Sequence, residues 1–328
     1  MNPASRKILA SAAVAGIVLA SYAATADPMR WAAEWPHTDF SKSSVDFKEI
    51  ISGGPPKDGI PSIDKPTFVA AAAEHEMADS EPVIGLVIDG EARAYPLRIL
   101  TWHEIVNDEI AGVPVAVTYC PLCNSAIAFD RRIDGRVLDF GTTGKLRHSD
   151  MVMYDRQTES WWQQFLGEGI VGAMTGKRLK PIPARLESFA NFKKRAPAGK
   201  VLVPDDRAMR AYGRNPYRGY DSTPYPFLFA GDLPKDIEPM ARVIVVDGEA
   251  WSMPLLRVKG TIAKGELVLR WQAGQNSALD TARIRDGRDV GNVVIQRVTG
   301  GRAVDVVYDV TFAFVYHAFY PGRAIHLD

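Results

Sequence analysis

The two cysteines of the chain, Cys120 and Cys123, stand in a single Cys-Pro-Leu-Cys run. At this spacing two sulfurs can converge on each other or on a metal ion. A bridge between them would close almost no loop, so the pair is not a staple that holds the fold together. A four-thiolate metal site is excluded because there is no third cysteine, and further ligands must be histidine, carboxylate or methionine. His103, 17 residues before Cys120, is the first candidate. Two cysteines and a histidine with an open fourth position suit a transition metal, zinc or copper. Dithiol–disulfide redox chemistry competes with this reading. So does a cysteine nucleophile activated by His103. The plainest alternative is a non-enzymatic binding module whose Cys-Pro-Leu-Cys disulfide tightens one turn.

Other residues could complete such a site. A short helix over Ile99 to Val106 would place His103 and Asn107 on one face at i, i+4, as a ligand and the residue that orients it. Glu104, Asn107 and Trp162 are the candidates for touching a cofactor. Asp58 could reach over the site as an acid or ligand, with a turn-stabilising role as its structural alternative. Trp161, Trp162, Tyr217 and Tyr220 also fit a core or a groove lining. Met151 and Met153 alternate along one strand, which suits packing better than copper binding. His37, His75 and His326 read as surface residues.

The composition, 46% hydrophobic and 24% charged, is that of a globular protein. Its 39 basic and 39 acidic side chains cancel, which argues against a nucleic-acid binder that neutralises phosphates. The patterns of P-loop nucleotide binding, the serine-hydrolase elbow, zinc proteases and haem attachment are all missing. Arg6 and Lys7, an apolar run from Ile8 to Leu19 and then Ala24-Thr25-Ala26 predict a signal peptide over 1–26. The protein is therefore expected to be exported, periplasmic or extracellular. No later stretch has the ~18 apolar residues of a membrane span.

The elements that position these residues read as mainly β, a β-rich α+β protein of short strands and hairpins in two related halves with few helices. Residues 27–65 form a Pro/Gly-rich arm, 66–230 a first half with the cysteine pair, and 231–328 a second half. Thr67 to Asp79 is the best helix candidate near the start, through its alanine run. Val83–Ile88, Glu91–Tyr95, Val113–Tyr119, Ser125–Phe129 and Met151–Tyr154 read as strands. Val87 to Leu97 is echoed at Val245 to Leu255, 158 residues on, as strand, Asp-Gly turn, strand and Pro-Leu. The second copy has no cysteine, so it is expected to supply architecture while the first supplies chemistry. Sandwich or barrel-like packing is the expected arrangement.

The chain resembles the bacterial and archaeal domain-of-unknown-function family 3179, exported proteins with a Thr-Tyr-Cys-Pro-Leu-Cys core. The residues that carry the resemblance are Gly53-Gly54-Pro55-Pro56-Lys57-Asp58-Gly59-Ile60-Pro61, His103-Glu104-Ile105-Val106-Asn107-Asp108 and Thr118 to Ser125. Phe129-Asp130-Arg131, Met153-Tyr154-Asp155-Arg156, Glu159 to Gln164 and Asn215 to Tyr220 extend it. His148 stands where similar proteins carry Asn. The resemblance implies membership and supplies no activity. The residues themselves point to a thiol or metal site, an oxidoreductase being one enzyme class it would serve. Its partner would be a metal or small molecule rather than nucleic acid.

Overall fold

A computed structural model describes residues 28–328, and the expected signal peptide at 1–26 lies outside the described residues. Frequent Asp-Gly turns and β-branched runs divide the chain into short strands, and the longest helices have seven residues. Among the described residues no helix is long and apolar enough to cross a membrane. The strands make five small sheets in a ring, propeller-like, in place of a sandwich or a barrel.

The hairpin echo extends far beyond its eleven residues. Pro82–Ile88 pairs with Glu91–Pro96 across Asp89-Gly90, and Arg242–Val246 pairs with Glu249–Ser252 across Asp247-Gly248. All four turn residues hold positive φ, the backbone that matches the twist of a two-residue hairpin. Each hairpin leads into a seven-residue helix, Leu97–His103 or Met253–Lys259. An antiparallel meander follows in both copies. The chain then returns to the hairpin sheet as an antiparallel strand, Arg185–Ser188 or Asp309–Phe312. Another seven-residue helix comes next, Phe189–Arg195 or Ala313–Phe319. A strand parallel to the second hairpin strand completes each unit, Lys200–Val203 or Ile325–His326.

The first copy carries something extra. Its meander contains the cysteine sheet, Ile105–Ile110, Val113–Cys120 and Ser125–Asp130 with Lys180–Ile182 at the edge. Beside it stands a further sheet of Ile50–Ser52, Phe140–Arg147, Asp150–Asp155, Trp161–Gln163 and Glu168–Val171. Asn107 joins the two, because its Nδ2 donates to the Phe140 carbonyl (2.8 Å) while its Oδ1 accepts from the Phe140 amide (2.9 Å).

Two local expectations are corrected. Thr67–Ala70 is a strand followed by one 3-10 turn at Ala71–Ala73, because its backbone pairs with Lys200–Val203 and this outweighs alanine's helix preference. The helix expected over Ile99 to Val106 runs from Leu97 to His103, and Ile105–Ile110 is a strand. His103 and Asn107 therefore do not share a helical face.

Trp162 is fully buried in the added sheet, donates from Nε1 to Asp155 Oδ2 (2.9 Å) and meets Phe140 edge-on. Trp162→Ala is expected to lower unfolding stability by about 3–5 kcal/mol, read from urea denaturation. A loss below about 1 kcal/mol would show that the indole is not part of the packed core.

Candidate metal centre and cavity

Cys120 ends the strand Val113–Cys120 and pairs with Ser125, so Pro121 to Asn124 make a tight connection. The Cys123 amide donates to the Cys120 carbonyl (3.2 Å), and Asn124 turns the chain with φ 52°. The second half clamps this loop. Thr311 Oγ1 donates to the Cys123 carbonyl (2.7 Å), and Asn124 Nδ2 donates to the Val310 carbonyl (2.7 Å). Tyr220 donates from its hydroxyl to the Leu122 carbonyl (2.9 Å). With these groups anchored, both sulfurs hold fixed positions. They are free thiols, buried and unbridged.

Asp150 reaches the same place from the added sheet. Arg147 and Asp150 pair across a two-residue turn in which His148 and Ser149 both have positive φ (53° and 67°). That turn favours Asn and Gly, so His148 and Ser149 hold it under strain. Cys120 Sγ donates to the Ser149 carbonyl at 3.7 Å. One Asp150 oxygen, Oδ2, accepts from Gln163 Nε2 (2.5 Å) and the Phe165 amide (2.9 Å). The other, Oδ1, is buried with no hydrogen bond. Ligand atoms of Cys120, Cys123 and Asp150 all lie within 4.8 Å of one another.

Glu104 adds a fourth acid. It caps the helix Leu97–His103 with φ 58° and ψ −33°. The second copy has glycine at the matching cap, Gly260, with φ 67° and ψ −39°. The cap amides bond Leu100 and Leu256, and the cap carbonyls accept from Tyr119 and Trp271. Glycine is the residue that suits such a cap, so a buried glutamate there is held against backbone preference.

Burial controls the electrostatics of all four groups. It pushes Glu104 up to about 8, with the Asp150 charge adding to the effect. It pushes Asp150 up to about 7, against the hydrogen bonds from Phe165 and Gln163. It raises the Cys120 thiol, and raises Cys123 further with Cys120 as the second cause. The influences resolved on the four groups include no basic side chain. Low-pKa cysteine nucleophiles sit near positive charge, and no basic side chain is among the influences resolved on Cys120 or Cys123.

Cys120 and Glu104 both open on a cavity of about 590 Å³. The arm forms one wall through Gly53, Pro55 and Ile60. It lies so close to the strand Phe140–Arg147 that a side chain on Gly144 would collide with the Pro55 carbonyl.

The remaining expected site residues are engaged elsewhere. His103 is buried, but its Nδ1 is bonded to the Pro61 carbonyl (2.7 Å) and its Nε2 to the Tyr212 hydroxyl (2.8 Å). It is not among the clustered ligand atoms. Asp58, in the arm, accepts from the Tyr154 hydroxyl (2.6 Å), and its amide donates to the Thr142 carbonyl of the strand Phe140–Arg147. Asn107 joins the sheets, and Trp162 packs in the core. His37, His75 and His326 are exposed as expected. Asp150 is the residue that the sequence reading did not select. Its local signal is an acid directly before the apolar run Met151-Val152-Met153-Tyr154 of the strand Asp150–Asp155.

A family model described as protein of unknown function (DUF3179) matches residues 57–323. The chain belongs to the DUF3179 family. Glu104, the cysteine loop, Asp150 and the clamping strand Asp309–Phe312 all fall within the matched span of this DUF3179 protein. No curated protein and no solved structure matches the chain.

The raised Glu104 carboxyl makes stability depend on pH in a defined sense. The folded state keeps this proton up to about pH 8, whereas an unperturbed glutamate releases it near 4.5. The folded state thus binds the extra proton between those values. The associated stability is complete below the lower value and is lost as pH rises toward the upper one. The melting-temperature gain of metal-free Glu104→Gln over the unsubstituted protein is expected to grow steadily from pH 5 to pH 8. A gain that stays constant or shrinks over that range contradicts the burial of this acid.

Proposed function

We propose that this DUF3179 protein is a metal–thiolate protein in which Cys120, Cys123 and Asp150 hold one transition-metal ion. The observation that carries the reading is the buried cluster itself, in which one Asp150 carboxylate oxygen and both sulfurs lie within 4.8 Å of one another, while Asp150 Oδ1 is buried without a hydrogen-bond partner. An unsatisfied buried carboxylate oxygen costs about 1–3 kcal/mol or more, and a cation bound there would recover that cost. Gln163 and the Phe165 amide hold the other oxygen, as outer partners orient a metal-ligating carboxylate.

Two thiolates and a carboxylate favour zinc(II) over copper(I), because the oxygen donor is hard. Three protein ligands with a fourth position left open form a catalytic rather than a structural zinc arrangement. Such an ion supplies Lewis-acid activation of a bound oxygen. In this reading Glu104 stands at the cavity wall as a proton-carrying group, and His103 stays outside the ligand set because both ring nitrogens are bonded. Dithiol exchange is the weaker reading, since its attacking thiolate is scarce while burial keeps both thiols protonated. Export belongs to the proposal as well, because a bound metal would protect a vicinal dithiol in an oxidising compartment.

Protein secreted with its own leader and purified without chelator is expected to hold one zinc per chain by mass spectrometry, lost in Cys123→Ser and Asp150→Asn. Gln163→Leu should weaken zinc affinity by about 10–100-fold, while His103→Ala leaves it nearly unchanged. Affinity should fall as pH drops, since the ligands must shed protons to bind. A chain free of metal after zinc or copper(I) loading, or zinc binding that needs His103 and ignores Asp150, would contradict the assignment.

A further inference from the structure

We propose that the cavity beside Cys120 binds a neutral, mainly apolar small molecule through one hydrogen-bonding group received by the Glu104 carboxyl. The inference deepens the metal-centre reading and rests on it for what the bound molecule meets, though not for binding itself. The volume of about 590 Å³ lies in the range of small-molecule sites. Pro55, Ile60, Leu122, Leu146, Met151 and Phe227 give it apolar walls.

Two features select against a charged ligand. Lys145 is the one basic residue on the wall among the described residues, and its Nζ pairs with Glu34 Oε2 (3.2 Å). The same ammonium lies over the Trp35 and Trp161 rings at 5.5 Å, so it is already compensated. Glu104 is 9% exposed and lines the cavity, and its carboxyl makes neither a hydrogen bond nor an ion pair among the described residues. Burial keeps it protonated at neutral pH, which leaves an O–H donor and a carbonyl acceptor for the ligand's polar group. A buried polar group left unpaired in this way marks the place where a ligand is oriented.

The rim offers an entry. Phe227 and Leu228 belong to the cavity wall yet remain 50% and 46% exposed, and Tyr225 beside them is 66% exposed. An apolar lip of this kind wets poorly and favours apolar molecules. Its position is tied to the centre, because Ser149 Oγ donates to the Phe227 carbonyl (2.6 Å) and Ser149 directly precedes Asp150.

The test titrates the full exported chain, metal-free and zinc-loaded, with the fluorescent neutral probe N-phenyl-1-naphthylamine and displaces it with 1-decanol, decanoate or decylammonium. One saturable site is expected, absent in Leu146→Arg, with the alcohol displacing the probe about tenfold better than either ion, the equivalent of one buried hydrogen bond. Glu104→Leu should cost decanol about tenfold more than it costs the probe, and Glu104→Gln should restore decanol. Absence of saturable binding, binding unchanged in Leu146→Arg, or ions that match the alcohol would overturn the proposal. Probe binding that persists in the metal-free Cys120→Ser, Cys123→Ser double variant supports it even where zinc binding fails. Zinc binding without probe binding overturns it and leaves the metal reading standing.

Discussion

Ionising a group inside a protein costs several kcal/mol unless opposite charge or hydrogen bonds receive it. Here Cys120, Cys123, Asp150 and Glu104 share one buried region, and none of the influences resolved on them is a cation. Each therefore holds its proton more tightly than in water. Below about pH 7 the four acids hold their protons and the empty site is close to neutral, and it would become strongly anionic when a cation displaces those protons. pH-dependent stability follows from that single constraint, and proton release on metal binding would follow from it in the proposed reading.

The architecture explains how such a costly cluster stays assembled. Two topologically matched copies face the problem differently. Where the first copy carries Glu104 at a left-handed cap, the second carries Gly260, the residue the conformation prefers. The added sheet supplies Asp150 from a strained His148-Ser149 turn. The second copy supplies restraint, as the strand Asp309–Phe312 pins the cysteine loop through Thr311 and the Val310 carbonyl. Glu104 and the two residues before Asp150 hold positive φ, a backbone state that costs non-glycine residues energy, and at the cap of Glu104 the second copy avoids that cost with Gly260.

Much of this was legible in the residues. The Asp-Gly hairpins, the strand into Cys120 and the duplicate at Val245 to Leu255 follow from turn chemistry and alternation, which act locally. The helix expected at Thr67 failed because partners 130 residues away in the chain, Lys200–Val203, decide that segment. The third donor failed for a related reason. His103 lies near the cysteines in sequence, but its place at the end of a helix turns it toward Pro61 and Tyr212. Asp150 arrives from a different sheet, which the Asn107–Phe140 and Gln164–Thr118 hydrogen bonds tie to the cysteine sheet. Spacing identifies which residues carry the chemistry, and sheet-to-sheet placement decides which of them meet.

The central claim is that two sulfurs and one carboxylate oxygen form a single ligand set. X-ray absorption spectroscopy of the zinc-loaded chain reads that set directly. The account predicts two sulfur neighbours at about 2.3 Å and lighter oxygen neighbours at about 2.0–2.2 Å, with no imidazole multiple scattering. A first shell without sulfur, or one that carries the imidazole signature and loses it in His103→Ala, would contradict it.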